Sequence, residues 1–229
     1  KYDQSGNNVI IPESVQDTND NRYKVTSIGE EAFSYCDNLT NVTIPNSVES
    51  INKRAFRSCT GLTSVTIPDN ITTLGQEAFG GCTGLTSVTI PNKIKSIGIA
   101  VFGGCTGLTS VTILGRVTNI GMKAFGGCTR LTSVTIPDSV DTIGLYAFQG
   151  CTSLASITIP GSVTYIGREA FANCTGLTSI TINMTQLDNV TIIGNAFDNI
   201  ASNAVFYVPQ GMVDDYKTLL NKTNVQEIN

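Results

Sequence analysis

The sequence lacks histidine and tryptophan altogether, and charged residues make up only 14 % of its 229 positions. Without histidine, the common serine and cysteine triads and every imidazole metal ligand are excluded. The 14 lysines and arginines face 18 aspartates and glutamates, for a net charge of −4, whereas nucleic-acid recognition needs a basic face. No stretch approaches the ~18 uninterrupted apolar residues of a membrane-spanning helix. The composition therefore predicts a mildly acidic protein with no nucleic-acid partner and no membrane-spanning segment.

What the sequence does contain is a repeat of 23 residues. Seven cysteines recur at this interval, and seven phenylalanines precede them by three residues. The cysteines are Cys36, Cys59, Cys82, Cys105, Cys128, Cys151 and Cys174. The unit reads I-G-x-x-A-F-x-x-C-T-x-L-T-S-V-T-I-P-x-x-V-x-x and runs without a gap from residue 28 to 182. A single unit of this size cannot bury its own apolar face, so the repeat indicates a stacked array.

Each unit combines two local patterns. L-T-S-V-T-I alternates as a half-buried strand does, with Val65 and Ile67 on one side and Ser64 and Thr66 on the other. The proline that usually follows ends the strand, because proline has no N–H to donate. The spacing in A-F-x-x-C is that of one helical turn. The sequence therefore predicts a repeat solenoid, a parallel β array with short helical turns and a cap at each end.

The unit carries a family resemblance. L-x-x-V-x-I resembles the opening of a leucine-rich repeat, and the string I-G-x-x-A-F-x-x-C-T-x-L-T-S-V-T-I-P is similar to the BspA-like class of these repeats. The resemblance covers about residues 25 to 209. It implies a leucine-rich-repeat-like β arc and a cell-surface or secreted protein of an anaerobic bacterium, in a class in which several members are linked to adhesion. This chain departs from the usual leucine-rich repeat at the position where that repeat has asparagine. The residues at this position are Ser47, Asn70, Lys93, Arg116, Ser139 and Ser162.

We predict a single domain over 1–229. Residues 1–27 form an N-terminal cap, 28–192 hold seven repeats, and 193–229 hold a degenerate repeat and a C-terminal cap. A short helix is expected from apolar residues at helical spacing, namely Met212, Val213, Tyr216, Leu219 and Leu220. Terminal units of a solenoid must be atypical to stay soluble. Because the sequence starts at Lys1 and shows no signal peptide, we expect a mature or trimmed chain.

The seven cysteines fit a structural role better than a chemical one. Neighbours in the stack have Cα atoms about 5 Å apart, inside the disulfide window, but their Cβ vectors run parallel rather than facing. Their number is odd and no C-x-x-C pair is present to chelate zinc. We therefore predict buried free thiols beside the phenylalanines, with no metal and no cofactor.

Two columns of hydroxyl residues are the first candidate binding site. They lie on the outward side of successive strands, which the resemblance makes the concave, ligand-facing side of the arc. A column of this kind suits an extracellular or host protein or a regular glycan. The candidate ligand-binding residues are Ser64, Thr66, Ser87, Thr89, Ser110, Thr112, Ser133, Thr135, Ser156, Thr158 and Tyr207. The preference of threonine for exposed strands explains the same columns without a ligand, and both explanations stay open here.

An apolar stripe is the second candidate. In the third position of the unit, Ile99, Met122 and Leu145 interrupt an otherwise polar column, Tyr146 follows directly, and Leu114 replaces the expected proline nearby. If these side chains are exposed, they form an interface for a partner or for self-association. If they fold back over the corner of the coil, they belong to the core.

No catalytic residues are predicted. Adjacent acidic pairs such as Glu30 and Glu31 rarely converge on one substrate as a general acid and base do, and the polar insert that begins at Asp17 lacks the register of an EF-hand. We therefore predict a non-enzymatic binding or adhesion module that is secreted or lies at the cell surface. The alternative is a structural spacer or stalk with no ligand of its own. The residues that depart from the repeat consensus are concentrated in repeats four to six, and this concentration favours a binding module over a spacer.

Overall fold

The computed structural model describes residues 7–228, which form twenty short strands and one helix, α1 (Val213–Leu220). The strands are β1 (Asn8–Ile10), β2 (Ser14–Gln16), β3 (Arg22–Lys24), β4 (Ser27–Ile28), β5 (Asn41–Thr43), β6 (Ser50–Ile51), β7 (Ser64–Val65), β8 (Thr73–Leu74), β9 (Ser87–Ile90), β10 (Ser96–Ile97), β11 (Ser110–Ile113), β12 (Asn119–Ile120), β13 (Ser133–Val134), β14 (Thr142–Ile143), β15 (Ser156–Ile159), β16 (Tyr165–Ile166), β17 (Ser179–Ile182), β18 (Thr191–Ile192), β19 (Val205–Val208) and β20 (Val225–Glu227). The first six residues of the predicted N-terminal cap lie outside the described part.

Each 23-residue unit makes one coil of a parallel β solenoid, so the predicted fold class is confirmed. The L-T-S-V-T-I segment supplies a strand of a first sheet, and the next strand along the chain belongs to a second sheet. Neighbouring coils pair in register, with Ser87 opposite Ser110 and Ser96 opposite Asn119. The second strand was not predicted from the sequence, because two residues are too few to show an alternating pattern.

The A-F-x-x-C segment differs from the predicted helical turn. The N–H of Phe79 donates to the carbonyl of Val101 in the next coil (2.9 Å), whereas the N–H of Cys82 donates back to the carbonyl of Phe79 (3.2 Å). Glu77 and Gly81 adopt left-handed φ values of 55° and 73°, which stop a right-handed helix. The segment is therefore a series of tight turns that adds a third hydrogen-bonded ladder between the coils.

A column of phenylalanine rings forms the centre of the core. From Phe33 to Phe197, the rings of neighbouring coils stack nearly parallel with centroids 5.1–5.7 Å apart. Phe206 closes the column with an edge-on contact at 5.3 Å. Such pairs contribute about 0.5–1.5 kcal/mol each beyond the area they bury. The stack therefore fixes the coil register from the inside, while the ladders fix it from the outside.

Backbone donors extend the first sheet at two places. Leu114 and Asn183 occupy the position where most repeats have proline, and their N–H groups donate to the carbonyls of Ile90 (3.0 Å) and Ile159 (2.9 Å). At these two places the strand pairs β9–β11 and β15–β17 match over their full four residues. Leu114 is thus a structural donor at the corner after β11.

Proline shortens the first sheet elsewhere in the array. Pro68 follows β7 and Pro137 follows β13, and these two strands pair with the strands of the preceding coils, β5 and β11, over only two residues. Pro91 follows β9 and Pro160 follows β15, and no ladder joins these strands to the preceding coils. The first sheet therefore divides between β7 and β9 and again between β13 and β15. The second sheet divides only between β8 and β10 within the array. The prediction that proline ends the strand by removing a donor is consistent with this pattern.

The two ends of the solenoid are irregular. Near the N-terminus, β2 and β3 form an antiparallel hairpin that was not predicted from the sequence. At the other end, α1 confirms the predicted helix. Its Tyr216 is fully buried and its hydroxyl donates to the carbonyl of Met184 at 2.7 Å. The cap boundaries at residues 27 and 193 stay predictions.

Candidate functional site

The two hydroxyl columns lie side by side on the outer surface of the first sheet. All ten of their side chains are exposed, while the intervening apolar residues, such as Val88 and Val111, are 4 % and 6 % exposed. We call the ten residues the hydroxyl face: Ser64, Thr66, Ser87, Thr89, Ser110, Thr112, Ser133, Thr135, Ser156 and Thr158. Tyr207 pairs with Thr181 two strands beyond this face and is half-buried. The predicted outward orientation of both columns is therefore observed.

The hydroxyl groups of the hydroxyl face make no hydrogen bond within the part of the chain that the structure describes. A neighbouring threonine column behaves differently, since each hydroxyl donates to a backbone carbonyl one coil earlier. Thr86 donates to Thr63 at 3.3 Å and Thr109 donates to Thr86 at 3.0 Å. The threonines of this chain thus divide into a set that joins coils together and a set whose hydroxyls point freely into solvent.

The apolar stripe is exposed rather than folded into the core. Ile99, Met122 and Leu145 are 41 %, 38 % and 38 % exposed. Tyr146 is half-buried, and the ammonium group of Lys123 lies 5.5 Å from its ring centroid. Completing the burial of three such side chains is worth about 2–4 kcal/mol, since full burial of one gives roughly 1.5–3 kcal/mol. Association costs at least about 4 kcal/mol, so the stripe alone cannot hold a stable complex.

Paired charges border the stripe on its N-terminal side. The ammonium group of Lys53 lies 2.8 Å from the Glu30 carboxylate, and the Arg54 guanidinium lies 3.3 Å from both Glu31 and Glu77. Burial alone would raise the pKa of Glu77, but hydrogen bonds from Gln76 and Arg54 outweigh it and lower that pKa. The exposed pairs that Lys53 and Arg54 make with Glu30 and Glu31 contribute at most about 1 kcal/mol each. The charged side chains keep this part of the surface polar, in contrast to the neighbouring apolar stripe.

The cysteines are buried thiols that form no disulfide bonds, as predicted. The structure adds a role that sequence spacing does not reveal: the Cys82 thiol donates to the carbonyl of Phe56 at 3.1 Å, and the Cys105 thiol donates to Phe79 at 3.1 Å. The same contact recurs along the array and joins each coil to the one before it. Among the described residues, no group of three or more cysteine, aspartate or glutamate side chains could hold a metal ion.

The polar insert near the N-terminus is a hydrogen-bonded loop. The Asp17 carboxylate accepts bonds from the backbone N–H groups of Asn19 (2.8 Å) and Asn21 (2.9 Å) and from the hydroxyl of Tyr23 (3.1 Å). Hydrogen bonds from the Asn21 side chain and backbone are the main reason that the pKa of Asp17 lies below its ordinary value. Since these donors already occupy the carboxylate, the loop explains its acidic residue without a calcium ion.

Comparison with protein families identifies the repeat. The model for the BspA type leucine rich repeat region matches in six copies over residues 3–130 and 118–229. The chain belongs to the BspA-type leucine-rich repeat family. The expected resemblance is thereby confirmed, and the solenoid described above is a leucine-rich repeat module. A comparison with curated proteins found no match.

Several solved leucine-rich repeat structures resemble this chain. A leucine-rich repeat protein from Eubacterium ventriosum is 30 % identical over 74 % of this chain and 43 % of its own, with a TM-score of 0.62. The Treponema pallidum leucine rich repeat protein is 25 % identical over 94 % and 81 %, with a TM-score of 0.55. A leucine rich cell surface protein from Faecalibacterium prausnitzii is 21 % identical over 98 % and 88 %, with a TM-score of 0.53, which supports the fold alone.

The helical content of this leucine-rich repeat chain is small. Over residues 7–228, no helix has the length and apolar character needed to cross a bilayer.

Proposed function

We propose that this chain is a non-enzymatic binding or adhesion module that engages an extracellular protein or glycan through the hydroxyl face. The observation that carries the proposal is the division of the threonines. Thr63 and Thr86 belong to the column that bonds to backbone carbonyls, whereas Thr66 and Thr89, three residues further on, keep free and exposed hydroxyls. Ten free hydroxyls in two columns offer repeated donors and acceptors to a ligand.

We propose that the chain is secreted by an anaerobic bacterium or lies at its cell surface. One solved relative is described as a leucine rich cell surface protein, and the chain shares its fold. The buried thiols are compatible with this location, because the fold shields them from oxidants without disulfide bonds.

A spacer that only holds other parts of a protein apart is the alternative proposal. The uniformity of the hydroxyl face supports it, since recognition of a particular protein usually uses aromatic and arginine anchors. The exposed apolar stripe supports binding instead, because the three departures from the polar column adjoin one another in successive coils. The stripe then acts as a local contact within a larger interface.

Binding of the purified chain to an array of extracellular-matrix proteins and glycans tests the proposal. Thr112→Lys with Thr135→Lys places two long charged side chains on the hydroxyl face and should abolish any specific interaction. Thr73→Lys with Ser96→Lys adds the same charge to exposed positions of the second sheet and serves as the matched control. A saturable interaction that survives the first pair of substitutions contradicts the proposal, and an array without any interaction favours the spacer.

A further inference from the structure

Two clefts open on the hydroxyl face where the ladder of the first sheet is interrupted. The first, between β7 and β9, has a volume of about 420 Å³ and is lined by Thr66, Pro68, Asp69 and Thr89, among others. Pro91, which follows β9, has no N–H with which to join the two strands. The cleft is therefore a consequence of the sequence at this junction and brings a carboxylate beside the hydroxyl columns.

The second cleft repeats the first. It lies between β13 and β15, has a volume of about 460 Å³, and is lined by Thr135, Asp138, Thr158 and Pro160, among others, with Asn183 of the next coil at its edge. Asp138 follows Asp69 by 69 residues, which is three repeats. At about 4.8 Å per coil, the two sites are about 14 Å apart along the stack.

The carboxylates distinguish these two coils from their neighbours. The position after the proline reads Asn46, Asp69, Asn92, Gly115, Asp138 and Gly161 along the array. Within this column an acidic residue thus stands only beside an interrupted junction. The repetition was present in the sequence, but its meaning depends on strand pairing, which the sequence does not display.

Unpaired backbone groups add to each cleft. Within the described part of the chain, the N–H and carbonyl groups of Ile67 make no backbone hydrogen bond, and the same holds for Ile136. Each cleft thus combines one carboxylate, two or more free hydroxyls and main-chain donors and acceptors. Neither lining includes lysine, arginine or an aromatic residue.

This chemistry suits a ligand that is rich in hydroxyl groups and carries no negative charge. Sugar hydroxyls donate to carboxylate and carbonyl oxygens and accept from threonine hydroxyls and N–H groups. An acidic glycan would meet Asp69 or Asp138 and a chain of net charge −4 without a compensating cation. We propose that the two clefts bind one neutral glycan chain, with a sugar unit in each cleft. The proposal rests on the hydroxyl face being the binding surface.

An inserted peptide strand fits the clefts less well. A strand added between two others needs them about 9.6 Å apart, which is twice the normal spacing. At the start of the first cleft, the N–H of Thr86 still donates to the carbonyl of Thr63 at 3.2 Å, and beside the second, the N–H of Ser153 donates to Thr129 at 3.1 Å. The coils therefore remain adjacent and admit a small unit at the open corner rather than a whole strand.

Calorimetric titration with neutral manno-, xylo- and gluco-oligosaccharides of graded length tests the proposal. An oligosaccharide long enough to span about 14 Å should bind at least tenfold more tightly than a disaccharide, because the second contact becomes intramolecular. Asp69→Asn and Asp138→Asn should each remove that gain, since each loses a charge-assisted bond worth about tenfold in affinity. Both substitutions introduce a residue that other coils already carry at this position. Asp141→Asn, at an exposed aspartate next to the second sheet, is the control.

A second variant tests the origin of the clefts. Pro160→Ala restores an N–H that can donate to the carbonyl of Ile136, so it should close the second cleft and remove the length-dependent gain while the chain stays folded. Absence of binding to every neutral series at millimolar concentration overturns the proposal, as does unchanged affinity in both aspartate variants or stronger binding of heparin oligosaccharides. If the Thr112→Lys, Thr135→Lys pair still abolishes another interaction, the hydroxyl face remains the binding surface and only the glycan assignment fails.

Discussion

Alkaline pH should destabilise the fold through its buried thiols. Burial raises the pKa of the Cys105 thiol from 9.0 to about 12, and burial also raises the pKa of Cys128 well above its ordinary value. A group whose pKa is higher in the folded state contributes stability that is complete below the unfolded pKa and is lost as the pH rises toward the folded one. For Cys105 the loss therefore runs from about pH 9 to about pH 12.

The magnitude follows from the size of the shift. One pKa unit corresponds to about 1.36 kcal/mol, so Cys105 accounts for a loss of about 2 kcal/mol between pH 9 and 10.5. Cys105→Ala removes this titration together with the thiol bond to Phe79. We expect the variant to be less stable than the wild type at pH 8, and the difference to shrink by about 2 kcal/mol at pH 10.5.

Urea unfolding at pH 8 and pH 10.5, followed by circular dichroism in the presence of a reductant, measures this difference. Leu108→Ala is the matched control, because it also empties a fully buried position three residues away but removes no titratable group. Its destabilisation should be equal at both pH values. If Cys105→Ala shows the same pH dependence as the wild type, the thiol does not titrate as described and the reasoning is wrong.

Two further predictions concern three serines at the position where the usual leucine-rich repeat has asparagine, and the apolar stripe. Ser139→Ala and Ser162→Ala should each cost about 1 kcal/mol in urea unfolding, because each hydroxyl donates to a carbonyl of the preceding coil at 2.7 Å. Ser47→Ala should cost nothing or stabilise the chain, since that buried hydroxyl has no partner, and a loss equal to that of the other two would contradict the account. Ile99→Glu with Leu145→Glu should leave unfolding within about 0.5 kcal/mol of the wild type and reduce self-association in sedimentation velocity. Identical sedimentation at all concentrations would exclude the stripe as a self-association surface.

The parts of the fold that follow from short-range periodicity could be predicted from the sequence. Alternation around Val65 gives both the strand and its buried side, and the 23-residue interval gives the stacking. The turn around Phe79 could not be predicted in detail, because residues such as Glu77 and Ala100 adopt left-handed backbone conformations without being glycine. Ladder bonds to the next coil hold them there, and such bonds join residues about 23 positions apart.

The candidate site divides in the same way. The hydroxyl columns follow from the strand period, so their exposure could be predicted. The clefts depend on which carbonyls lack a donor from the next coil, and this becomes visible only when Pro91 and Pro160 are placed against β7 and β13. Leu114 illustrates the difference: its exposed apolar side chain can be anticipated from the sequence, whereas the strand ladder that its backbone N–H completes is visible only in the structure.

A direct comparison of three variants in one binding assay tests the central claim that the hydroxyl face binds the ligand. The wild type and the variants are titrated with the strongest ligand of the extracellular-matrix and glycan array by surface plasmon resonance. We predict that Thr112→Lys with Thr135→Lys abolishes binding, that Ile99→Glu with Leu145→Glu weakens it at most tenfold, and that Thr73→Lys with Ser96→Lys leaves it unchanged. Loss of binding in the stripe variant with full binding in the hydroxyl-face variant would contradict the claim.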